Sequence, residues 1–175
     1  MDKFNIECLD NATRPISAKT PTPQEEAESS VYRDKQGRIA FPTPAISRIL
    51  RDSGTNHKVK GTRRSVRFVV PAAVRLIGDL ILVTNGDGKT SVDSYSVDTR
   101  STVNPSTKGR HLCHRARFEH WSMRLQLTVN ETLLHPDLVK QLLQEGGEQL
   151  GIGSFRPEKG GPFGCFTVAE WGEIK

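Results

Sequence analysis

The sequence predicts an α+β fold built on an antiparallel sheet. Three observations carry that expectation: two amphipathic stretches that open on helix-start signals, Thr43-Pro44 and His135-Pro136-Asp137; apolar alternation sustained over Phe118–Val129; and β-branched runs bounded by turn residues between them. In order they give strand, helix, strand, strand, helix, strand, the ferredoxin-like βαββαβ arrangement with both helices on one face of the sheet. The 175 residues suit a single domain. Within 1–175 the reading assigns a long arm or loop to residues 10–30. It assigns a large β-hairpin or loop insertion to residues 71–110, between the second and third core strands.

Each element has its own reason. Phe4–Leu9 alternates Phe4, Ile6 and Cys8 against Asn5 and Glu7, a short half-buried strand. Residues 10–30 are rich in Pro, Thr, Ser and Glu and have no period, hence the arm. Asp34-Lys35-Gln36-Gly37 is a turn. Thr43 then serves as N-cap with Pro44 in the first helical position; Ile46, Ile49 and Leu50 recur at helical spacing and Gly54 ends the segment, so Pro44–Ser53 is a short helix. Thr55–Ser65 is a basic, glycine-containing loop without apolar anchors. Val66–Val70 and Val74–Val83 read as strands, the second interrupted at Gly78-Asp79, and Asn85-Gly86-Asp87-Gly88 is a hairpin-type turn. Residues 89–109 are polar and weakly patterned, a hairpin or loop excursion.

In Phe118–Val129, Trp121, Met123, Leu125, Leu127 and Val129 face one way, and His120, Ser122, Arg124, Gln126 and Thr128 the other: one long strand with one buried face. Leu112, His114, Ala116 and Phe118 hold the opposite parity, which predicts a bulge or break near Phe118-Glu119. The second helix buries Leu138, Val139, Leu142 and Leu143 and is expected to stop at Gly146-Gly147. A glycine-rich loop, Gly151–Gly164, leads into a last strand, Cys165–Trp171.

The formal charge of +5 is clustered. Residues 1–34 hold seven acidic side chains against four basic ones. Residues 47–75 carry Arg48, Arg51, Lys58, Lys60, Arg63, Arg64, Arg67 and Arg75 against Asp52 alone, and residues 100–124 carry Arg100, Lys108, Arg110, Arg115, Arg117 and Arg124 against Glu119. Two such blocks on neighbouring strands would form one electropositive face that attracts phosphate backbones. No apolar run approaches ~18 residues, so no membrane partner is expected. The N-terminus lacks the basic and apolar regions of a signal peptide. Cys8, Cys113 and Cys165 form no CxxC pair and fit free thiols in a reducing, cytoplasmic compartment.

Several motifs are weaker than they look. Gly88-Lys89-Thr90 is a turn, because a phosphate-binding GxxxxGK[ST] loop needs glycine where Val83 stands. His111-Leu112-Cys113-His114 has no second ligand pair at metal-finger spacing, so no metal or other cofactor is expected. No serine–histidine–carboxylate or paired-carboxylate pattern supports the histidines as catalysts. In the tail loop Gly151, Gly153, Gly160, Gly161 and Gly164 permit close backbone approaches while Arg156 and Lys159 add charge. That combination suits contact with a phosphodiester backbone or a neighbouring subunit, or a tight connection into the last strand.

Tyr32-Arg33-Asp34-Lys35-Gln36-Gly37-Arg38-Ile39-Ala40-Phe41-Pro42, followed by the Pro44–Arg51 helix, resembles an element of RAMP-superfamily proteins, the ferredoxin-like RNA-binding subunits of CRISPR surveillance complexes. Gly151–Gly164 resembles that superfamily's C-terminal glycine-rich loop, and the same two blocks are similar to a family of small bacteriophage proteins. The resemblance covers about residues 31–70 and 115–171. It implies a subunit, phage-encoded or otherwise from a prokaryotic cell, that polymerises along a single strand, RNA in preference to DNA. Arg48 and Arg51 match the basic positions of the family's helix, and Gly151, Gly153, Gly160, Gly161 and Gly164 its loop glycines. Lys58, Lys60, Arg63, Arg64 and Arg67 are assigned to phosphate contact from charge alone, as are Lys108, Arg110, Arg115, Arg117, Arg156 and Lys159. The leading expectation is a non-enzymatic, self-associating single-strand-binding protein. The alternatives are a phage assembly or virion accessory protein working through protein contacts, and a metal-independent ribonuclease using His114 or His120.

Overall fold

The structure, a computed structural model, describes residues 21–103 and 106–174. In chain order its elements are α1 (Pro23–Ser29), β1 (Tyr32–Arg33), β2 (Ile39–Pro42), α2 (Thr43–Ser53), a 3-10 turn (Val66–Phe68), α3 (Val70–Ala73), β3 (Val74–Leu76), β4 (Leu80–Thr84), β5 (Ser96–Val103), β6 (Arg110–Arg117), β7 (Ser122–Met123), β8 (Leu127–Val129), α4 (Pro136–Gln149) and a second 3-10 turn (Pro157–Lys159). It is a mixed α+β fold with antiparallel sheets. Contacts group the chain into two units, residues 1–31 with 94–119 and residues 32–93 with 120–175. The strand expected over Phe4–Leu9 lies outside the described residues.

The smaller unit is a hairpin with a helix. The end of the expected 10–30 arm is helical because Thr22-Pro23-Gln24-Glu25 is a capping box: the Thr22 hydroxyl accepts the Glu25 amide (3.3 Å) and the Glu25 carboxylate accepts the Thr22 amide (2.7 Å). β5 and β6 pair over their full length, Ser96 opposite Arg117 through Val103 opposite Arg110, so the excursion expected near 89–109 is a regular hairpin that starts and ends later. The helix is tied to it by Tyr95, whose hydroxyl donates to Glu28 (2.5 Å), and by the His114 amide, which donates to Glu26 (3.2 Å). β6 stops at Arg117, where the parity flip predicted a break.

In the larger unit a four-stranded sheet runs in the order β1-β2-β4-β7, and β3 pairs with β8 separately. Val74–Val83 is therefore two strands in two sheets. The long strand expected over Phe118–Val129 is broken in the same way, and the register gives the reason. Leu76 faces Leu127 and Val83 faces Met123, so residues 77–82 on one side stand opposite only residues 124–126 on the other. The excess falls after Ile77, whose amide still donates to the Gln126 carbonyl (2.9 Å), and Gly78 turns there at φ +85°. The alternation itself holds: Met123, Leu125, Leu127 and Val129 are half-buried, and Arg124, Gln126 and Thr128 exposed.

The core joins Ile46, Ile49 and Leu50 of α2 to Val139, Leu142 and Leu143 of α4, with Val66, Val70 and Ile81. Three local expectations change here. The α2 N-cap is Pro42, not Thr43, whose side chain is buried beside the sheet while its amide donates to Asp79 (3.0 Å). Val66–Val70 is not a strand but a 3-10 turn leading into α3: the Ser65 hydroxyl accepts the Arg67 amide (3.3 Å) and Pro71 opens the helix. Finally, α4 does not stop at Gly146-Gly147. A Cβ on Gly146 would stand 2.3 Å from Ile49 and one on Gly147 2.3 Å from the Phe166 carbonyl, so the glycines let α2 and the C-terminal segment approach. The helix ends at Leu150, and Gly151 at φ +67° donates its amide to Gly146 (2.9 Å).

Cys165–Trp171 joins no sheet. Its amides are taken by α4 instead: Phe166 donates to the Gly147 carbonyl (3.1 Å) and Val168 to the Gln144 side chain (2.9 Å). Among the described residues no helix is long and apolar enough to cross a membrane.

Candidate nucleic-acid interface

The basic loop after α2 is built, not slack. Lys58 bridges Ser65 across it, the Val59 amide donates to Arg64 (2.9 Å), and Gly61 turns the tip at φ +76°. Contrary to expectation it has anchors. Val59 packs on the core, the Ser65 hydroxyl donates to the Gly54 carbonyl (2.8 Å), and His57 Nε2 meets Glu145 of α4 at 2.7 Å. The hydrogen bond from His57, reinforced by Gln141, holds the Glu145 carboxyl below its ordinary value against the effect of burial. Lys58, Lys60, Arg63 and Arg64 are exposed, and no carboxylate among the described residues pairs with any of them.

The arginines beside this loop are engaged. Asp52 gathers Arg48 (3.2 Å), Arg51 (3.1 Å) and Arg67 (3.5 Å). Burial acts to raise the Asp52 carboxyl, but hydrogen bonds from Arg51 and Arg48 and the charges of Arg51 and Arg67 outweigh it and keep the group below its usual range. Arg48 also reaches Glu158 (3.0 Å).

The glycine-rich loop closes on itself. The Ile152 amide donates to Gly164 (2.9 Å), the Phe163 amide to Phe155 (3.0 Å), and the two phenyl rings meet edge to face at 6.0 Å. Gly164 at φ +74° lies so near the Ile152 carbonyl that a Cβ would stand 1.8 Å from its oxygen. Gly151 and Gly161 are similarly crowded, while Gly153 and Gly160 open to solvent. Arg156 is inside this construction: its side chain is 17% exposed, donates to the Gly153 carbonyl (2.7 Å) and pairs with Glu158. The hydrogen bond from Arg156 leads the causes that hold the Glu158 carboxyl down. Lys159 stays exposed, its charge adding to those that hold the Glu158 carboxyl down.

Arg48, Gly151, Gly153 and Arg156, four of the residues singled out in the sequence, line one shallow groove of about 100 Å³, with Asp52 and Glu158 in its wall. Two guanidinium groups and two carboxylates leave that groove without excess charge. The sequence reading missed both carboxylates as partners, although Arg48/Asp52 at i,i+4 spacing and Arg156-Pro157-Glu158 are visible in it. Nor did it show that His57 would meet Glu145, or that Phe68 would be 64% exposed.

In the hairpin unit Lys108, at φ 57°, and Arg110 are exposed and unpaired among the described residues, whereas Arg115 lies 3.7 Å from Glu26 and Arg117 3.7 Å from Glu119. His114 Nδ1 is 2.7 Å from the Thr99 hydroxyl. Cys113 and Cys165 are free thiols, and burial, with Glu26 adding to it, pushes the Cys113 thiol up. Among the described residues no three His, Cys, Asp or Glu side chains gather as metal ligands would.

The fold and site define a class: a mixed α+β protein with four exposed cations, free of carboxylate partners among the described residues, on the loop after its core helix. Comparison with protein-family models, with curated proteins and with solved structures finds no match.

Proposed function

We propose that the protein is a non-enzymatic, self-associating subunit that binds single-stranded nucleic acid, RNA in preference to DNA, through phosphate contacts. The observation that carries this reading is the quartet Lys58, Lys60, Arg63 and Arg64, held without carboxylate partners among the described residues on a loop that the core fixes. Preorganised cations lose little conformational freedom on meeting a strand and release its counterions, which is the main source of sequence-independent affinity. Lys159, and on the hairpin unit Lys108 and Arg110, are further candidate contacts. The RAMP-like, ferredoxin-like framework and a phage or prokaryotic, cytoplasmic setting belong to the same proposal.

Fluorescence anisotropy with labelled single-stranded RNA and DNA at graded salt tests it. Binding is expected to weaken severalfold when ionic strength doubles. Changing all four loop cations to alanine should flatten the log–log salt slope by about 0.7 for each contact removed, a loss of two to three orders of magnitude near ~0.1 M salt. Equal binding by the two proteins, or no dependence on salt, overturns the proposal.

A second reading, assembly through protein contacts, is favoured by the hairpin. Its register gives one face both Leu112, 61% exposed, and Val103, 53% exposed.

A further inference from the structure

We infer that Phe68 is a stacking platform for an unpaired base at the edge of the cationic loop; this rests on the nucleic-acid reading of that loop and narrows its ligand to a strand with free base faces. Phe68 is the one exposed aromatic side chain among the described residues. Its neighbours fix the turn that carries the ring. Val66 and Val70 on either side are both in the core, at 0% and 3% exposure, so the turn between them is pinned by its ends. The Ser65 hydroxyl accepts the Arg67 amide, the Phe68 amide donates to the Ser65 carbonyl (3.3 Å), and the Val69 amide to Val66 (2.8 Å). Ser65 is also the residue bridged to Lys58. The fixed turn that carries the ring is therefore continuous with the base of the loop that carries the four unpaired cations.

The pairing of ring and charge selects the occupant. A single strand offers phosphates to the cations and a flat π-face to the ring, and stacking of this kind tolerates any base. A duplex offers the same phosphates but keeps its bases stacked on each other. An apolar protein surface would cover the ring and leave the lysines and arginines without counter-charge. The backbone around Phe68 needs no rearrangement to present it, so the ring is preorganised as the cations are.

The test uses the full chain, Phe68→Ala and Phe68→Trp, with three labelled probes of equal length: a single-stranded RNA, a ribose-phosphate strand without bases, and a duplex. Phe68→Ala is expected to weaken binding of the base-bearing strand about 5- to 100-fold with an unchanged salt slope, Phe68→Trp to restore it, and both variants to bind the abasic strand and the duplex as the parent does. Thermal melting of the variants should match the parent, since the ring is in solvent. Equal affinity of parent and Phe68→Ala for the base-bearing strand, with the salt slope intact, overturns the stacking role and leaves the loop reading standing. An equal loss on the abasic strand overturns it too, as does loss of self-association in gel filtration with strand affinity unchanged, which would assign the ring to contact between copies. If the parent binds no strand, the loop reading fails and takes this inference with it.

Discussion

Two loops of the larger unit, 55–65 after α2 and 151–164 after α4, have the same ingredients: glycines at positive φ, a web of internal hydrogen bonds, and lysine with arginine. They differ in what folding brings to the charges. Lys58, Lys60, Arg63 and Arg64 meet no carboxylate among the described residues, whereas Arg156 is clamped to Glu158 and Arg48, on the facing helix, is shared between Glu158 and Asp52. A count of basic residues, four in the first loop and two in the second, credits every one of them equally. The field felt by a phosphate does not, because a guanidinium with a carboxylate 3 Å away attracts a third partner weakly.

The largest effect separating the loops is mechanical. Gly164→Ala should cost about 2–5 kcal/mol, combining an unfavourable positive φ with overpacking against the Ile152 carbonyl. In the basic loop Gly61→Ala meets open space at φ +76° and should cost only about 1–2 kcal/mol. Urea unfolding at equal m-values reads the difference directly. Equal losses would mean that the glycine-rich loop is not closed at its base.

Acid should come next. Asp52, Glu145 and Glu158 all have carboxyls held below their ordinary values of 3.8, 4.5 and 4.5. The unfolded chain therefore binds more protons in this range, so their stabilisation is complete above about pH 5 and is lost as pH falls through the lowered values. Each pair is partly solvated and contributes at most about 1 kcal/mol. Glu158→Gln should remove part of the acid sensitivity from the glycine-rich loop, and Glu145→Gln part from the anchor of the basic loop. Melting temperatures between pH 3 and 7, an interval chosen to span these titrations, would contradict this if they did not change.

How far such features were legible depended on range. The α2 and α4 helices followed from Ile46, Ile49, Leu50 and Val139, Leu142, Leu143, because helical periodicity is a local signal. The inward and outward faces of residues 123–129 followed from alternation for the same reason. What failed depended on distant partners. Gly146 and Gly147 read as a helix stop, since their use, admitting Ile49 and the Phe166 backbone, is set by segments far away in sequence. The break in the long strand was written in its partner, at Gly78, and Cys165–Trp171 has the alternation of a strand but finds a helix to bond instead. At the site, Arg48 was recognised but its neutralisation by Glu158, 110 residues away, was not. One helix start signal is legible inside a stretch whose composition suggests only an arm: Thr22-Pro23-Gln24-Glu25.

The smallest effect tests the comparison from the other side. In Glu158→Gln the shape of the glycine-rich loop is retained, since the amide oxygen still accepts from Arg156, but one negative charge leaves the groove. Arg48 keeps Asp52 at 3.2 Å and Arg156 keeps the Gly153 carbonyl at 2.7 Å, so the substitution uncovers no more than one cation's worth of field. The salt slope for single-stranded RNA should therefore steepen by at most about 0.7 and affinity rise only a few-fold, whereas the four-alanine variant of the basic loop loses orders of magnitude. A gain of tenfold or more in Glu158→Gln would reverse the ranking of the two loops. The groove between α2 and Gly151–Gly164 would then be the principal strand path, masked by Glu158, with the basic loop as its flank.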